Sequence, residues 1–448
     1  MLNPKGQITT ILTFLLLPVV MFFFFIFLPP QLFFVFIFAS VIFIIAFINT
    51  DFALILLIFS MLLSPEMKSG AIPGRAVVIR IDDIFLFVVF FGWWAKMAMN
   101  KELGLLKSTP LNRPILVYIF VCFLATFFGV ARGFVNIKYS LFYLLKYIEY
   151  FLLYFMVANN IRTLKQAKVY VFFILLTCLL VSIYAWTQIH TGERLSAPFE
   201  GEGGEPNTFA GYLLLMMALI LGFILYPESV KQRFMLTLFF GFTLIPFILT
   251  LSRGGWLAFF PMFLTFIFLN RKYRFPMIVV FLCAIILLPY IFPKKVYTRV
   301  KETFAPERSY TVLGKHVNLS ESAAARLDTW GIAMRNLSYS PLLGFGIPAA
   351  SSVDNQFTRV MTETGLIGLM AFLWIIFRIF RVGWGIFRST KENSFAGGLS
   401  LGFLAGFSGI VIMGFTAATF IIIRIMEPFW FLAAIVVSLP QILQKDEK

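Results

Sequence analysis

The sequence is divided into long apolar runs, each of the length that an α-helix needs to cross a bilayer. Such a helix takes roughly 20 residues, and inside a bilayer only a helix or a closed barrel satisfies its own backbone. About fourteen runs qualify, although the run at 51–64 is short. We therefore predict an all-α polytopic membrane protein with about 12–14 transmembrane helices. The runs lie near residues 8–28, 31–49, 51–64, 82–99, 114–133, 139–158, 168–189, 207–226, 233–251, 254–270, 275–292, 357–380, 395–416 and 419–443.

The composition agrees with a membrane protein and argues against a nucleic-acid-binding one. Hydrophobic residues make up 60% of the chain and charged residues 13%, more apolar surface than a soluble domain of this size needs. The net charge is +16, but the basic residues lie mostly between the apolar runs. Anionic lipid head groups and the positive-inside rule account for such a distribution.

Basic residues in alternate short connections predict the orientation. With fourteen helices they all fall on one side, which is then cytoplasmic together with both termini. The first run lacks a small-residue cleavage site, so we expect a retained helix rather than a signal peptide. The basic residues are Lys96, Lys101, Lys107, Arg113, Arg162, Lys165, Lys168, Lys231, Arg233, Arg271, Lys272, Arg274, Arg378, Arg381, Arg388 and Lys391.

The long connection at 293–356 divides the chain into three parts. Residues 1–292 are expected to hold transmembrane helices 1 to about 11, and 357–448 the C-terminal transmembrane helices. Because long connections are translocated regardless of charge, 293–356 is predicted to be a periplasmic loop. Within it, residues 320–335 are predicted to form an amphipathic helix, and its Trp330 suits the membrane interface.

Two arginines lie in short polar segments that the topology puts outside. Arg253 stands between two apolar runs, where a cation costs several kcal/mol unless it snorkels to the interface or meets an anion. Gly254 and Gly255 follow it and allow a ligand to approach the backbone. Arg194 lies in a loop rich in Gly and Glu, and Asn207 follows where the next helix begins. A snorkelling side chain is the structural alternative for Arg253.

Other charges inside the apolar runs have ordinary structural explanations. Opposite charges one helical turn apart can neutralise each other, and carboxylates favour the first turn of a helix. The sequence therefore predicts two internal ion pairs and one helix start, namely Lys146–Glu149, Arg424–Glu427 and Asp82–Asp83.

Residues 344–368, called the motif segment below, link the long loop to the next apolar run. Two glycines and a proline near its start predict irregular backbone. Asp354 and Asn355 then stand where an Asx side chain caps a helix. Arg359 and Glu363 follow at i, i+4. A capped helix entering the bilayer explains the segment structurally, whereas the other arginines predicted on the same side favour a ligand site.

The residues available to that site indicate phosphate chemistry without a metal. The chain has only two histidines, and its three cysteines lie in apolar runs, so neither a disulfide framework nor a metal site is expected. No nucleotide-binding loop is present. Guanidinium groups bind phosphate oxygens in pairs and keep their charge in a low-dielectric site. A lipid diphosphate head group lies at the depth where these arginines are predicted.

From about residue 75 to 440 the sequence resembles the O-antigen ligase and O-antigen polymerase superfamily of bacterial membrane glycosyltransferases. Arg253-Gly-Gly-Trp-Leu257 resembles the family's Arg-x-x-x-Leu element. Asn355, nine residues and then Gly365-Leu-Ile-Gly368 match the family's spacing, with Asp354 where the ligases carry histidine. Arg326 resembles a second essential arginine of the outer loop, and Arg194 with Asn207 resembles a further family element.

The resemblance implies a metal-independent, cofactor-free inverting transfer from an undecaprenyl-diphosphate-linked glycan at the periplasmic face of the inner membrane. Arg253 and Arg326 would hold the diphosphate leaving group, and Asp354 would act as a base or orient the acceptor. Binding roles are expected at Arg194, Asn207, Asn355, Arg359, Glu363 and Trp330.

The lost histidine favours the polymerase branch, whose acceptor is a second lipid-linked repeat unit, with a chain-length regulator as a partner. A ligase that moves the polysaccharide to a lipid A core is the alternative. A transporter of the same lipid-linked glycan is a third hypothesis. A transporter needs arginines in a central cavity, whereas the arginines of this chain are predicted at the outer surface.

Overall fold

The structure is a computed structural model. It describes residues 30–72, 75–99, 106–200, 204–291, 294–302, 308–312, 315–319, 321–390 and 393–446. The predicted run at 8–28 lies outside these residues. The α-helices are α1 (Pro30–Ile48), α2 (Thr50–Leu63), α3 (Ile81–Met99), α4 (Asn112–Ala131), α5 (Ile137–Asn160), α6 (Leu164–Thr187), α7 (Pro206–Leu225), α8 (Val230–Leu249), α9 (Arg253–Leu269), α10 (Arg274–Ile291), α11 (Lys294–Lys301), α12 (Glu321–Tyr339), α13 (Gln356–Thr390), α14 (Ser394–Met413) and α15 (Ile423–Asp446).

The predicted fold class is confirmed. Every predicted apolar run among the described residues coincides with a helix, because a run of this length and composition can satisfy its backbone in a bilayer only as a helix. Eight of the described helices are long and apolar enough to cross a membrane. They are α4, α5, α6 with the 3₁₀ turn that follows it, α7, α8, α13, α14 and α15.

Two antiparallel hairpins in the connections were not predicted from the sequence. Strand β1 (Glu66–Ile72) pairs with β2 (Arg75–Arg80), and β3 (Arg308–Val312) pairs with β4 (Lys315–Leu319). Each hairpin has only two strands, so the protein remains essentially helical.

The chain forms two compact units. One contains Met1–Leu54 and Ile84–Gly104, and the other contains Ile55–Asp83 and Leu105–Lys448. In the first unit, α1 and α3 pack closely at Gly92, where an added Cβ would lie 2.8 Å from the Cβ of Ala46. The residues described below all belong to the second, larger unit.

Helices α7, α14 and α15 form the centre of the larger unit, because 83% of each membrane span is buried, compared with 17% of α8. Small residues bring α7 and α14 together. A Cβ added to Gly402 would lie 2.8 Å from both the carbonyl oxygen of Ala218 and the Cα of Leu219. Such backbone contact is typical of helix pairs in membranes, where van der Waals packing replaces the hydrophobic effect as the driving force.

Helix α13 is broken at Gly365, which has φ 65° and ψ −164°. The sequence predicted an uninterrupted span over 357–380. Residues 341–346 satisfy the backbone groups that the break frees: Phe345 and Gly346 donate to the carbonyls of Thr362 and Glu363, at 3.0 and 2.9 Å. On the other side of the break, the N–H groups of 366 and 367 donate to the carbonyls of 341 and 342. Irregular backbone at membrane depth is tolerated where protein satisfies it in this way.

Candidate functional site

The beginning of α7 and the turn between α8 and α9 hold Arg194 in place. Its Nε donates to the carbonyl of Thr250 at 3.0 Å, and its Nη2 donates to Oδ1 of Asn207 at 3.2 Å. The Ser252 hydroxyl donates to the same Asn207 oxygen at 2.8 Å and also caps α9. Two predicted site residues, Arg194 and Asn207, are therefore in direct contact beside the turn that carries Arg253.

Arg253 and Arg299 belong to two segments that contact the loop of Arg194, since Arg194 donates to the carbonyl of Thr250 and Lys295 of α11 donates to that of Gly192. Burial lowers the pKa of Arg194, and the charges of Arg299 and Arg253 lower it further. We call Arg194, Arg253 and Arg299 the arginine cluster. Lys295, one turn before Arg299 on α11, donates to the carbonyl of Gly192 at 2.8 Å and adds a fourth positive charge beside it. Three like charges in partly buried positions repel one another, which favours binding of an anion.

Arg299 was not predicted as a site residue from the sequence. It forms an ion pair with Glu302 at 2.8 Å and is one turn from Lys295. The signal that could have found it is the dense basic character of α11, whose sequence is Lys-Lys-Val-Tyr-Thr-Arg-Val-Lys.

In the described part of the chain, no group of three or more His, Cys, Asp or Glu side chains is placed to hold a metal.

The motif segment and the start of α9 meet at one turn, at the end of α14. The Asn355 amide donates to the carbonyl of Phe415 at 2.8 Å, and the backbone N–H of Gln356 donates to the carbonyl of Gly414 at 2.8 Å. Gly254 packs against Thr416 with no room for a Cβ. Residues 253–254 and 355–356 thus share the 414–416 turn although about a hundred positions separate them.

Asn355 caps α13, as the sequence predicted. Its Oδ1 accepts from the backbone N–H groups of Phe357 and Thr358, at 2.9 and 3.0 Å, and the side chain is fully buried. Its neighbour Asp354 is exposed and makes no hydrogen bond with the described residues. Asn355 therefore has a structural function, and Asp354 is left accessible to a ligand.

Arg359 and Glu363 form a buried ion pair, with Nε and Oε1 3.2 Å apart and each side chain 1% exposed. The Tyr147 hydroxyl donates to Oε2 of Glu363 at 2.7 Å, and Arg359 Nη1 donates to the carbonyl of Ser351 at 3.4 Å. This pair ties the first half of α13 to α5. Both residues are enclosed by protein, so contact with a substrate would be indirect, through Tyr147 or the 351 region.

Tyr147 also lines a cavity of about 190 Å³, called the charged cavity below. Thr208, in the first turn of α7, lines it as well, one residue after the Asn207 that contacts Arg194. The arginine cluster and the charged cavity therefore both border the first turn of α7. The charged residues that line the cavity are Glu66, Arg80, Lys146, Glu205 and Arg424.

Arg80 and Lys146 are paired with carboxylates at the beginning of α3. Arg80 Nη2 lies 2.6 Å from Oδ2 of Asp82, and Lys146 forms an ion pair with Asp83. The predicted pairing of Lys146 with Glu149 is wrong, because Asp83 from another helix supplies the nearer carboxylate. The prediction that Asp82 and Asp83 begin a helix is confirmed.

Arg424 is held by the loops around it rather than by Glu427, so the second predicted pair is also wrong. It donates to four backbone carbonyls, those of Leu62, Ser64, Pro198 and Phe199, at 2.8 to 3.3 Å. Its guanidinium also lies 3.6 Å from a carboxylate oxygen of Glu66 and 3.8 Å from one of Glu200. Because a buried charge needs partners on several sides, two separate segments converge on this residue.

Burial changes the protonation of the two acids that face Arg424. It raises the pKa of Glu200 to about 8, although Arg424 and the N–H groups of Glu205 and Ala197 favour the charged form. Burial likewise raises the pKa of Glu66. Glu200, which faces Arg424 of the cavity wall, therefore holds a proton at neutral pH.

Two predicted residues lie on α12. The side chain of Arg326 lies outside the described residues, and its backbone is part of this helix. Trp330 is 38% exposed on the same helix, one turn further on.

The fold and these contacts define a polytopic membrane protein whose loops gather arginines beside a small charged cavity, an arrangement suited to a lipid-borne phosphate. Residues 238–373 match the family model described as O-antigen ligase. The match supports the predicted resemblance to the O-antigen ligase and polymerase superfamily, which is a family of glycosyltransferase-type enzymes. The matched region contains Arg253, Arg299 and the motif segment. A comparison with curated proteins gave no match.

Proposed function

We propose that the protein transfers an oligosaccharide from an undecaprenyl-diphosphate carrier and that the arginine cluster binds the diphosphate. The observation that carries the proposal is the convergence of Arg194, Arg253 and Arg299, reinforced by Lys295, from three different segments. Guanidinium groups bind phosphate oxygens in pairs. Their fixed charges stabilise the negative charge that develops on a diphosphate as it leaves.

The acceptor enters through the charged cavity under this proposal. The cavity shares the first turn of α7 with the arginine cluster and is lined by hydroxyl and charged groups, which can hydrogen-bond to sugar hydroxyls. In an inverting transfer, an acceptor oxygen forms the new bond to the anomeric carbon while the bond from that carbon to the diphosphate oxygen breaks. The arginines stabilise the negative charge of the departing diphosphate. The proton of the acceptor hydroxyl passes to a base.

Asp354 is assigned to the acceptor hydroxyl, as its base or as an orienting group. Its exposure and its place next to the 414–416 turn, where the Arg253 segment also packs, support this role. Arg326 and Trp330 on α12 are assigned to the glycan and its diphosphate. Asn355, Arg359 and Glu363 then support the site by capping α13 and by fixing its contact with Tyr147.

We favour a second lipid-linked repeat unit as the acceptor, which makes the protein a polymerase and a chain-length regulator its expected partner. The support is Asp354 at the position of the ligase histidine. Transfer to a lipid A core is the second candidate, and the description of the matching family as O-antigen ligase favours it. Both reactions belong at the outer face of the bacterial inner membrane, with 293–356 as the periplasmic loop between the helices of 1–292 and 357–448.

The proposal is tested by transfer with the purified full-length protein, a lipid-linked donor and either acceptor. Arg253→Ala and Arg299→Ala should each lower the rate by about a hundredfold, as loss of a group that stabilises a developing anion does. Arg253→Lys should retain part of the activity, because lysine keeps the charge and loses the paired hydrogen bonds.

Lys301→Ala is the matched control for Arg299, since it removes one positive charge from the same helix. Its rate should stay within about twofold of wild type, because an exposed charge contributes little. Product length identifies the acceptor class. Wild-type rates in both arginine-to-alanine variants would show that the cluster does not bind the leaving group.

A further inference from the structure

A second concentration of positive charge lies at the other ends of α8 and α9, away from the arginine cluster. A cavity of about 910 Å³ opens where α8 and α10 begin and where α7, α9 and α13 end. No Asp or Glu is among the described residues that line it. Its five cationic residues are Arg233, Arg271, Lys272, Arg274 and Arg388. We call it the cationic pocket.

Aromatic rings and carbonyl groups position these cations. The Arg388 guanidinium lies 5.7 Å from the ring centroid of Trp384, and the Lys272 ammonium lies 5.4 Å from that of Tyr273. Arg274 donates to the carbonyls of Ile267 and Phe268, at 3.0 and 3.1 Å. Within the described residues no carboxylate forms an ion pair with the five cations. The pocket therefore carries a charge that its own walls do not neutralise.

Asn270 is an independent sign of a ligand. It lines the pocket and is only 3% exposed. Its Oδ1 accepts from the backbone N–H of Tyr273 at 3.3 Å, which fixes the orientation of the amide, but its Nδ2 has no hydrogen-bond partner. A buried donor without an acceptor costs about 1–3 kcal/mol. An anionic oxygen in the pocket would accept this hydrogen bond and relieve that cost.

We propose that the cationic pocket binds a phosphate-bearing anion, either the head group of an anionic lipid or a soluble phosphate compound. Arginines bind phosphate oxygens in pairs, the aromatic walls hold the guanidinium and ammonium groups in place, and the volume is in the range of ordinary ligand sites. The pocket lies at the ends of the helices opposite to the arginine cluster, so it is separate from the proposed transfer site. The inference does not depend on the proposed function.

The experiment measures binding by the full-length protein. Retention of phosphatidylglycerol over phosphatidylcholine in mixed nanodiscs is measured by native mass spectrometry, and stabilisation by inorganic diphosphate is measured by thermal unfolding in neutral detergent. The pocket variant combines Arg271→Gln, Lys272→Gln and Arg388→Gln. The control variant removes the same charge from exposed cations that do not line the pocket, through Arg113→Gln, Lys165→Gln and Arg381→Gln.

We expect saturable binding of one probe by the wild type and the control, with an apparent affinity about tenfold or more lower in the pocket variant. Phosphatidylglycerol retention identifies a lipid head group, and stabilisation by diphosphate alone identifies a soluble ligand. Asn270→Asp, which keeps the acceptor for Tyr273 and replaces the donor with a negative charge, should lose binding too, whereas Arg113→Gln, with the same change in charge, should not. Absence of saturable binding of either probe, or equal loss in the pocket and control variants, would overturn the proposal.

Discussion

Arg424 shows how single charged residues organise the loops around the proposed site. A guanidinium removed from water is stable only when hydrogen bonds and opposite charges surround it. Arg424 obtains these from four carbonyls and two carboxylates that belong to the segments around residues 62–66 and 198–200. Arg424 and Glu66 both line the charged cavity, so these contacts hold two of its charged residues in place.

Glu200 should make the stability of the protein decrease with pH. Its pKa is about 8 in the folded chain, compared with 4.5 as the ordinary value. Between these values the folded state keeps a proton that the unfolded state releases, so the free energy of unfolding falls as pH rises and levels off above pH 8. Glu200→Gln, which is neutral at every pH, should remove this slope and unfold at a higher temperature than wild type at pH 9.

Thermal unfolding in detergent between pH 5 and pH 9 measures the effect, which is on the order of a few kcal/mol. Glu193→Gln, an exposed acid of the same loop, is the control and should leave the slope unchanged. If the wild type is as stable at pH 9 as at pH 6, the carboxyl is already ionised in the folded protein.

Asp354 can be tested for its two proposed roles by comparing asparagine and alanine. An amide keeps the hydrogen-bonding shape but cannot take a proton. If Asp354 orients the acceptor, Asp354→Asn should retain a measurable fraction of the transfer rate that Asp354→Ala loses. If it is the base, both variants should be equally inactive. Rates measured at saturating donor with folded, purified variants distinguish these cases, and wild-type rates in both would exclude either role.

The residue-level predictions that succeeded concern neighbours in sequence. Asn355 as a helix cap follows from its position before an apolar run. The two ion pairs predicted from helical spacing failed because Lys146 and Arg424 lie closer to carboxylates from other segments. Spacing along one helix contains no information about such neighbours, and Arg299 was missed for the same reason.

At the scale of elements, hydropathy predicts where helices lie but not where they are interrupted. Each apolar run forms its helix because the backbone has no other partner in a bilayer. The break at Gly365 depends instead on residues 341–346, which supply hydrogen bonds from outside the helix. The strand pairs are similarly invisible to hydropathy, since β1 and β3 are short and their registers depend on partner strands.

Gly402 should be required for the packing of α14 against α7. A Cβ at this position would lie 2.8 Å from two backbone atoms of α7, so the helices would have to separate. We expect Gly402→Ala to lower the free energy of unfolding by about 1–3 kcal/mol, the usual cost of overpacking. Gly385→Ala, in α13 with no atoms near the added Cβ, should be neutral or slightly stabilising. Denaturation in mixed micelles measures both, and equal stabilities would mean that the interface is loosely packed.

For the whole molecule, the arginine cluster and the cationic pocket lie at opposite ends of the same pair of helices, α8 and α9. The turn between α8 and α9 carries the arginine cluster, and the other ends of these helices border the cationic pocket. In a helix bundle, charge at opposite ends is separated by the apolar length of the helices. Such a protein can bind a phosphate at each face without the two sites sharing a residue.

This arrangement predicts that the two regions are exposed on opposite faces of the membrane. In a Cys283→Ser background, which removes the exposed native cysteine, Lys301→Cys should react with a membrane-impermeant thiol reagent added to the periplasmic side of intact cells. Lys272→Cys should react only after the inner membrane is permeabilised, because cytoplasmic connections carry the excess of Lys and Arg. Reaction of both positions from the same side would show that they share a face. The proposed separation of the transfer site from the cationic pocket would then be wrong, whereas reaction with the sides exchanged would reverse the orientation and leave the separation intact.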